Sequence, residues 1–218
     1  MAVSAPRPKP TTRYHKGLDR NDILDAALEI LREGVFERLT LAAVAKRLGV
    51  SAPAVYHHFA SKDALFAATA ALGFRHLTSI YEQTGRDVSD LKTWIAKRGT
   101  IYLLFAFEEP ALHHLMYRYR FEDRHAFPEL IEAEDACFNS SVSRIAYGSV
   151  RKPRFGSQQS VRDHPVSMTI WATFHGLATI IADGHMRIRN KSEIAKMATE
   201  VAAVLTQQNQ FELIPADD

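Results

Sequence analysis

The chain has 218 residues, enough for one long domain or two small ones with a real core. Hydrophobic residues make up 46% and charged residues 24%, and the net charge is +2, which excludes a uniformly basic polyanion binder and a disordered polyelectrolyte. The charge is unevenly placed, however: residues 1–62 carry ten Lys/Arg against six acids, while the rest is slightly acidic.

Residues 1–17 hold Pro6, Pro8, Pro10, four basic residues and no acid. This composition predicts a disordered basic arm, either a solvated tail or one that touches nucleic acid. Helical periodicity begins after it. Asp19 caps a helix with Ile23, Ala27, Ile30 and Leu31 on one face, and Gly34 stops it. Thr40 caps a short second helix carrying Leu41, Val44, Ala45 and Leu48, ended by Gly49. Ser51 caps a third with Pro53 in its first turn, where a missing N–H is harmless. Ser61 caps a fourth, with Leu65, Thr69, Leu72, His76 and Ile80 in register up to Gly85. Further helices are predicted over 90–107, halted by Glu109-Pro110, over 111–120 and over 128–148. A loop over 149–163 follows, then helices from Pro165 to Asp183 and, capped by Ser192, to Gln208. No strand pattern and no repeat is evident.

The stretch LAAVAKRLGVSAPAVYHHFA (41–60) has the spacing of a helix-turn-helix. Ala45 is small where two helices cross, Gly49 tolerates the turn, and Val55 anchors the second helix beneath the first. An ordinary αα-hairpin satisfies the same positions. The residues that follow, Tyr56, His57, His58, Phe59, Ser61, Lys62 and Leu65, narrow the choice. With them, LREGVFERLTLAAVAKRLGVSAPAVYHHFASKDALFAA resembles the N-terminal domain of the TetR family of bacterial transcription regulators.

The resemblance implies an all-α fold: an N-terminal three-helix DNA-binding head with the helix-turn-helix (18–63) and a C-terminal helical bundle for dimerisation and ligand binding (64–218). It implies a homodimer on a near-palindromic duplex operator, with a small effector that releases it. Ser51 to His58 form the recognition helix. Ala52, Pro53 and Ala54 cannot make bidentate base contacts, but Pro53 and Ala54 can meet thymine methyls. Tyr56 and Lys62 match the family's phosphate-binding positions, and Thr40 sits at a helix N-terminus suited to phosphate. His57 can reach a base edge or a phosphate. His58 is either backbone-facing or a packed imidazole. Lys46 and Arg47 are either phosphate contacts or solvated charges. Few direct base contacts imply readout through DNA shape.

In the C-terminal half, Trp171-Ala-Thr-Phe-His175-Gly176 is similar to the Trp…His-Gly motif of one TetR subgroup. Gly176 in a helix interior suggests close approach of another helix. The last two helices are the candidate dimer seam, although their apolar stripes equally fit an internal core. Trp94, Tyr102, Phe105, Phe107, His113, Met116, Tyr117, Trp171 and His175 are candidates to line a pocket for an apolar or aromatic effector, or to form a plain aromatic core.

There is no H-E-x-x-H, no second cysteine beside Cys137 and no Gly-rich phosphate loop, so neither an enzyme, a metal nor a cofactor is predicted. A single cysteine and no stretch read as membrane-spanning place the expectation in the cytoplasm. The competing reading is a helix-turn-helix protein that acts as an activator or without any effector.

Overall fold

The computed structural model describes residues 18–34, 36–84, 88, 90–142, 145–147, 165–207 and 211–213. The predicted arm (1–17), the predicted loop (149–163) and the helix stops at Gly85 and Gln208 lie outside them. Among the described residues the helices are α1 (Arg20–Arg32), α2 (Leu41–Leu48), α3 (Ala52–His58), α4 (Lys62–Gln83), α5 (Leu91–Glu108), α6 (Pro110–Tyr117), α7 (Pro128–Val142), α8 (Pro165–Ala182) and α9 (Lys191–Thr206).

Local chemistry explains most boundaries. The Asp19 carboxylate accepts from the amides of Asn21 and Asp22, and Asp22 returns the bond to the Asp19 amide at 3.1 Å, a reciprocal capping box. Gly49 ends α2 at φ +68°, and the Val50 amide reaches back to the Ala45 carbonyl at 3.0 Å. Glu109 is the residue between α5 and α6, and Pro110 opens the latter, where a missing amide costs nothing.

α1, α2 and α3 form the head. Ile23, Leu31, Leu39, Val44 and Val55 are buried between them. α4 runs from the head into the body, where it packs along α7 and against α6. Its predicted face is rotated: His76 is exposed, whereas Phe74, Leu77 and Tyr81 are buried. α5 is the centre of the body, against α8 and α9. Gly99 makes that closeness possible, because a Cβ there would lie 2.0 Å from Cε1 of Phe174.

Four expectations are corrected. Ile145–Tyr147 pairs antiparallel with Phe211–Leu213, Ile145 opposite Leu213, although no strand pattern was expected. Three-residue strands are too short for alternation to show in a sequence. The helix expected over 128–148 accordingly ends at Val142. The cap of α9 is Asn190 rather than Ser192: Asn190 Oδ1 accepts from the Glu193 amide at 3.1 Å and from the Ser192 hydroxyl at 2.5 Å. Finally, α8 is long and apolar enough, by length and composition alone, to cross a bilayer. Its inner face packs on α5, and much of its outer face is uncovered in the single chain.

Candidate functional site

α3 stands on the surface because two of its apolar residues hold it down. Val55 and Phe59 are buried in the head, while Pro53, Tyr56 and His57 on the opposite side are exposed, Tyr56 by 50%. Ala52, Ala54 and His58 are half-buried, and the His57 and His58 rings meet edge to face at 5.5 Å. The exposed Ser51 makes no side-chain cap bond, so its hydroxyl is available. Thr40 Oγ1 accepts from the Ala43 amide at 3.0 Å, which leaves its O–H as a donor at the start of α2.

The flanking cations divide into two kinds. Lys46 is exposed. Arg47 is not a simple solvated charge: it pairs with Glu33 and, at 3.3 Å, with Glu29, and those hydrogen bonds raise its pKa. It clamps α2 to α1. Lys62 is exposed, its Nζ 4.8 Å from the centre of the Phe66 ring. Beside it, Asp63 accepts from the Tyr119 hydroxyl at 2.5 Å, tying the head to the segment after α6. Burial, and then that bond, push the Tyr119 phenol up to about 12. Arg32 donates to Glu109 at 2.9 Å, and Phe36 stacks on His114 at 4.9 Å, so α6 touches the head at two more points.

The body holds a partly open cavity of about 80 Å³. Phe74, Leu77 and Tyr81 come from α4, Tyr102 from α5 and Tyr117 from α6. Glu134, Cys137, Phe138 and Ser141 come from α7, and Met168 and Trp171 from α8. A second space of about 30 Å³ shares Tyr81, Tyr102, Ser141 and Trp171 and adds Trp94, Arg98 and Phe174 among others. Tyr102 is the polar centre. Its hydroxyl lies 2.7 Å from His175 Nδ1 and 3.4 Å from His113 Nε2. His175 stacks on Trp171 at 4.6 Å with the planes 8° apart. Burial holds both imidazoles neutral. It depresses His113 to about 3, with the neighbouring His175 adding to the effect, and it lowers His175 in the same direction. Burial also raises Cys137 to about 12.

Of the expected lining residues, Tyr102, Tyr117 and Trp171 face the larger cavity and Trp94 the smaller. His113 and His175 join Tyr102 without lining either space. Phe105 and Met116 are buried elsewhere, Met116 beside Gly73, and Phe107 is exposed. The contributions of α4 and α7 were missed. Phe74, Leu77 and Tyr81 recur at helical spacing beside the face read from the sequence, and that second stripe was the available signal.

A helix-turn-helix head on a hollow helical body is the architecture of a sequence-reading regulator. Residues 23–69 match the profile of bacterial regulatory proteins of the tetR family, and residues 95–205 that of a tetracyclin repressor-like C-terminal domain. The latter covers just over half of the chain, and the chain belongs to the TetR family. An HTH-type transcriptional regulator of Bacillus subtilis, YobS, is 31% identical over 99 residues, covering 44% of this chain and 50% of that one. The class C tetracycline repressor of Escherichia coli is 35% identical over 101 residues, covering 44% of each. The chain thus spans about half the length of the curated relatives it matches. A solved Rhodococcus sp. RHA1 protein of unknown function superposes with a TM-score of 0.62 at 25% identity, covering 87% of this chain and 96% of its own.

Proposed function

We propose that the chain is a cytoplasmic DNA-binding transcription regulator, a homodimeric repressor that holds a near-palindromic operator and leaves it on binding a small molecule. The observation that carries this reading is the anchoring of α3 by Val55 and Phe59 with Pro53, Tyr56 and His57 outward. That geometry suits insertion into a major groove. Thr40, Ser51, Tyr56 and Lys62 are the proposed phosphate contacts. His57 and His58 reach a base edge or the backbone. Ala52, Pro53 and Ala54 offer apolar contact, and the neighbouring DNA is read by shape. No reaction is assigned to the chain.

The dimer is proposed through α8 and α9. The buried face of α9 is made of Ile194, Ala198 and Ala202, which leaves Val204 65% exposed. On α8, Ile180 is 39% exposed. Gly176 is exposed too, and a Cβ there would meet nothing within 4 Å, so among the described residues no helix makes the close approach expected there. A partner's helix is the proposed occupant, and it would cover the apolar outer face of α8. The Trp171…His175-Gly176 pattern supports placement in the Trp…His-Gly subgroup. The cavity favours a regulator with an effector over one without, and release requires a ligand that binds the two head arrangements with different affinity.

The test is binding of duplex DNA from beside the chain's own coding region, measured by fluorescence anisotropy against salt. The expected log K falls by roughly 0.9 per phosphate neutralised. Lys62→Ala lowers that slope by about 1. A binding constant indifferent to salt would sink the reading.

A further inference from the structure

Lys62 and Asp63 open α4 side by side with opposite charges, and the structure keeps them apart. Consecutive residues of a helix do not face each other. The Lys62 ammonium is exposed and makes no hydrogen bond or ion pair among the described residues. Its Nζ lies 4.8 Å from the centre of the Phe66 ring and 6.0 Å from that of Tyr119, so two aromatic rings steady the cation without neutralising it. The rings are themselves fixed. Phe66 is fully buried and meets Tyr119 edge to face at 4.8 Å, and Phe121 meets Tyr119 at 4.9 Å. The half-buried Asp63 carboxylate is engaged by the segment after α6. Its Oδ1 accepts from the Tyr119 hydroxyl at 2.5 Å and its Oδ2 from the Glu122 amide at 3.4 Å. A carboxylate left free in the first turn of a helix would sit at the positive end of the helix dipole, where it repels an approaching phosphate.

Resting on the DNA-binding reading above, we propose that Tyr119 is a positioning residue for the phosphate contact of Lys62. Its ring steadies the ammonium, and its hydroxyl holds the neighbouring carboxylate against the body. Lys62 therefore meets the DNA backbone with its charge undiminished. Without the hydroxyl, the carboxylate turns outward beside Lys62, and the two opposite charges together offer a phosphate little net attraction. A residue of the body, outside the helix-turn-helix, thus sets the strength of a contact made by the head.

Tyr119→Phe tests this, because it removes the bond to Asp63 and keeps the ring with its neighbours Phe36, Phe66 and Phe121. The full chain is titrated by anisotropy, across a salt series, with the duplex from beside its own coding region. Near-UV circular dichroism checks that each variant is folded. Tyr119→Phe is expected to bind about tenfold more weakly at low salt, with the salt slope of log K smaller by about 1, as for Lys62→Ala. Adding Asp63→Asn to Tyr119→Phe restores the wild-type slope, and it strengthens binding more in that background than in the wild type. A merely structural tie between head and body behaves otherwise: Asp63→Asn does not rebuild the lost bond, so it cannot repair a loosened junction. Wild-type affinity and slope in Tyr119→Phe, a slope that Asp63→Asn does not restore, or an equal gain from Asp63→Asn in the two backgrounds overturns the inference and leaves the regulator reading standing. A wild type whose binding ignores salt sinks the regulator reading itself.

Discussion

Phe174 occupies the space that a side chain at position 99 would need. The ring lies within 2.7 Å of an ideal Cβ at three of its atoms, and it is itself buried between α8 and α5. Gly99→Ala is therefore expected to destabilise the body by about 1–3 kcal/mol through overpacking. Urea unfolding measures it. Adding Phe174→Leu to that variant should cost less than it does in the wild type, because the smaller side chain relieves the clash. Strict additivity would show that the two positions do not compete for space. Tyr56 is the opposite kind of residue, since half of it is in solvent and nothing inside depends on its hydroxyl. Tyr56→Phe should leave unfolding unchanged and weaken operator binding by about 1.5–3 kcal/mol, the range for a hydrogen bond to a charged group. Equal affinity for the two proteins would remove Tyr56 from the phosphate contacts. The two residues also differ in legibility. Tyr56 stands in a local pattern whose neighbours fix its surroundings. Gly99 reads as a mere helix weakener until Phe174, from a distant helix, is brought against it.

Helix ends were easier to read than helix faces, for a physical reason. A cap is decided by three or four adjacent residues, so Asp19, Thr40, Gly49 and Ser61 announce their roles in the sequence. A face is decided by what packs on it. α9 shows the consequence: its apolar stripe fits a dimer seam and an internal core equally, and the side packed closest holds Ile194, Ala198 and Ala202, where small residues let α5 come near. α4 shows it again, because a helix surrounded by the head, α6 and α7 has more than one apolar face. The cavity followed from those faces, so only its α5, α6 and α8 walls were anticipated. The exceptions among caps are Asn190, since Ser192 two residues on offered an equally suitable hydroxyl, and Ser51, which holds the cap position without a side-chain bond. Gly49 allows a test of the legible kind. At φ +68° an alanine suffers strain although no atom lies within 4 Å of its Cβ. Gly49→Ala should cost about 1–2 kcal/mol by conformation alone. Gly176→Ala, in a helix and with the same open space, should not destabilise an isolated chain. A loss of dimer by analytical ultracentrifugation in Gly176→Ala would support the α8 seam, and an intact dimer would place the seam elsewhere.

Head and body are joined by α6, which reaches the head through His114 and the cavity through Tyr117, while His113 closes on Tyr102 of α5 and His175 of α8. Three helices of the body thus meet at a buried imidazole, a half-buried one and a phenol. This junction makes the stability of the whole molecule depend on pH. The ordinary imidazole value is near 6.5. His113 is depressed to about 3 in the fold, by burial first and then by the charge of His175, with His114 and Arg118 acting in the same sense and Asp183 alone opposing them. The sign follows from which state binds the proton. Below about 6.5 the unfolded chain takes up a proton that the fold refuses, so the contribution is whole above 6.5 and is lost as pH falls toward 3. One such group loses about 2 kcal/mol between neutrality and pH 5. His175, lowered in the same direction by burial, adds to it. Urea unfolding at pH 7.5 and 5.0 should therefore show a marked loss in the wild type. His113→Gln, which carries no proton in either state, should be less stable at pH 7.5 and lose less on acidification. Carboxylates titrate in both proteins, so the difference between the two profiles isolates the imidazole. If the wild type and His113→Gln fall in parallel, the proton is accommodated at the junction, and the closed arrangement of α5, α6 and α8 is not what holds His113 neutral.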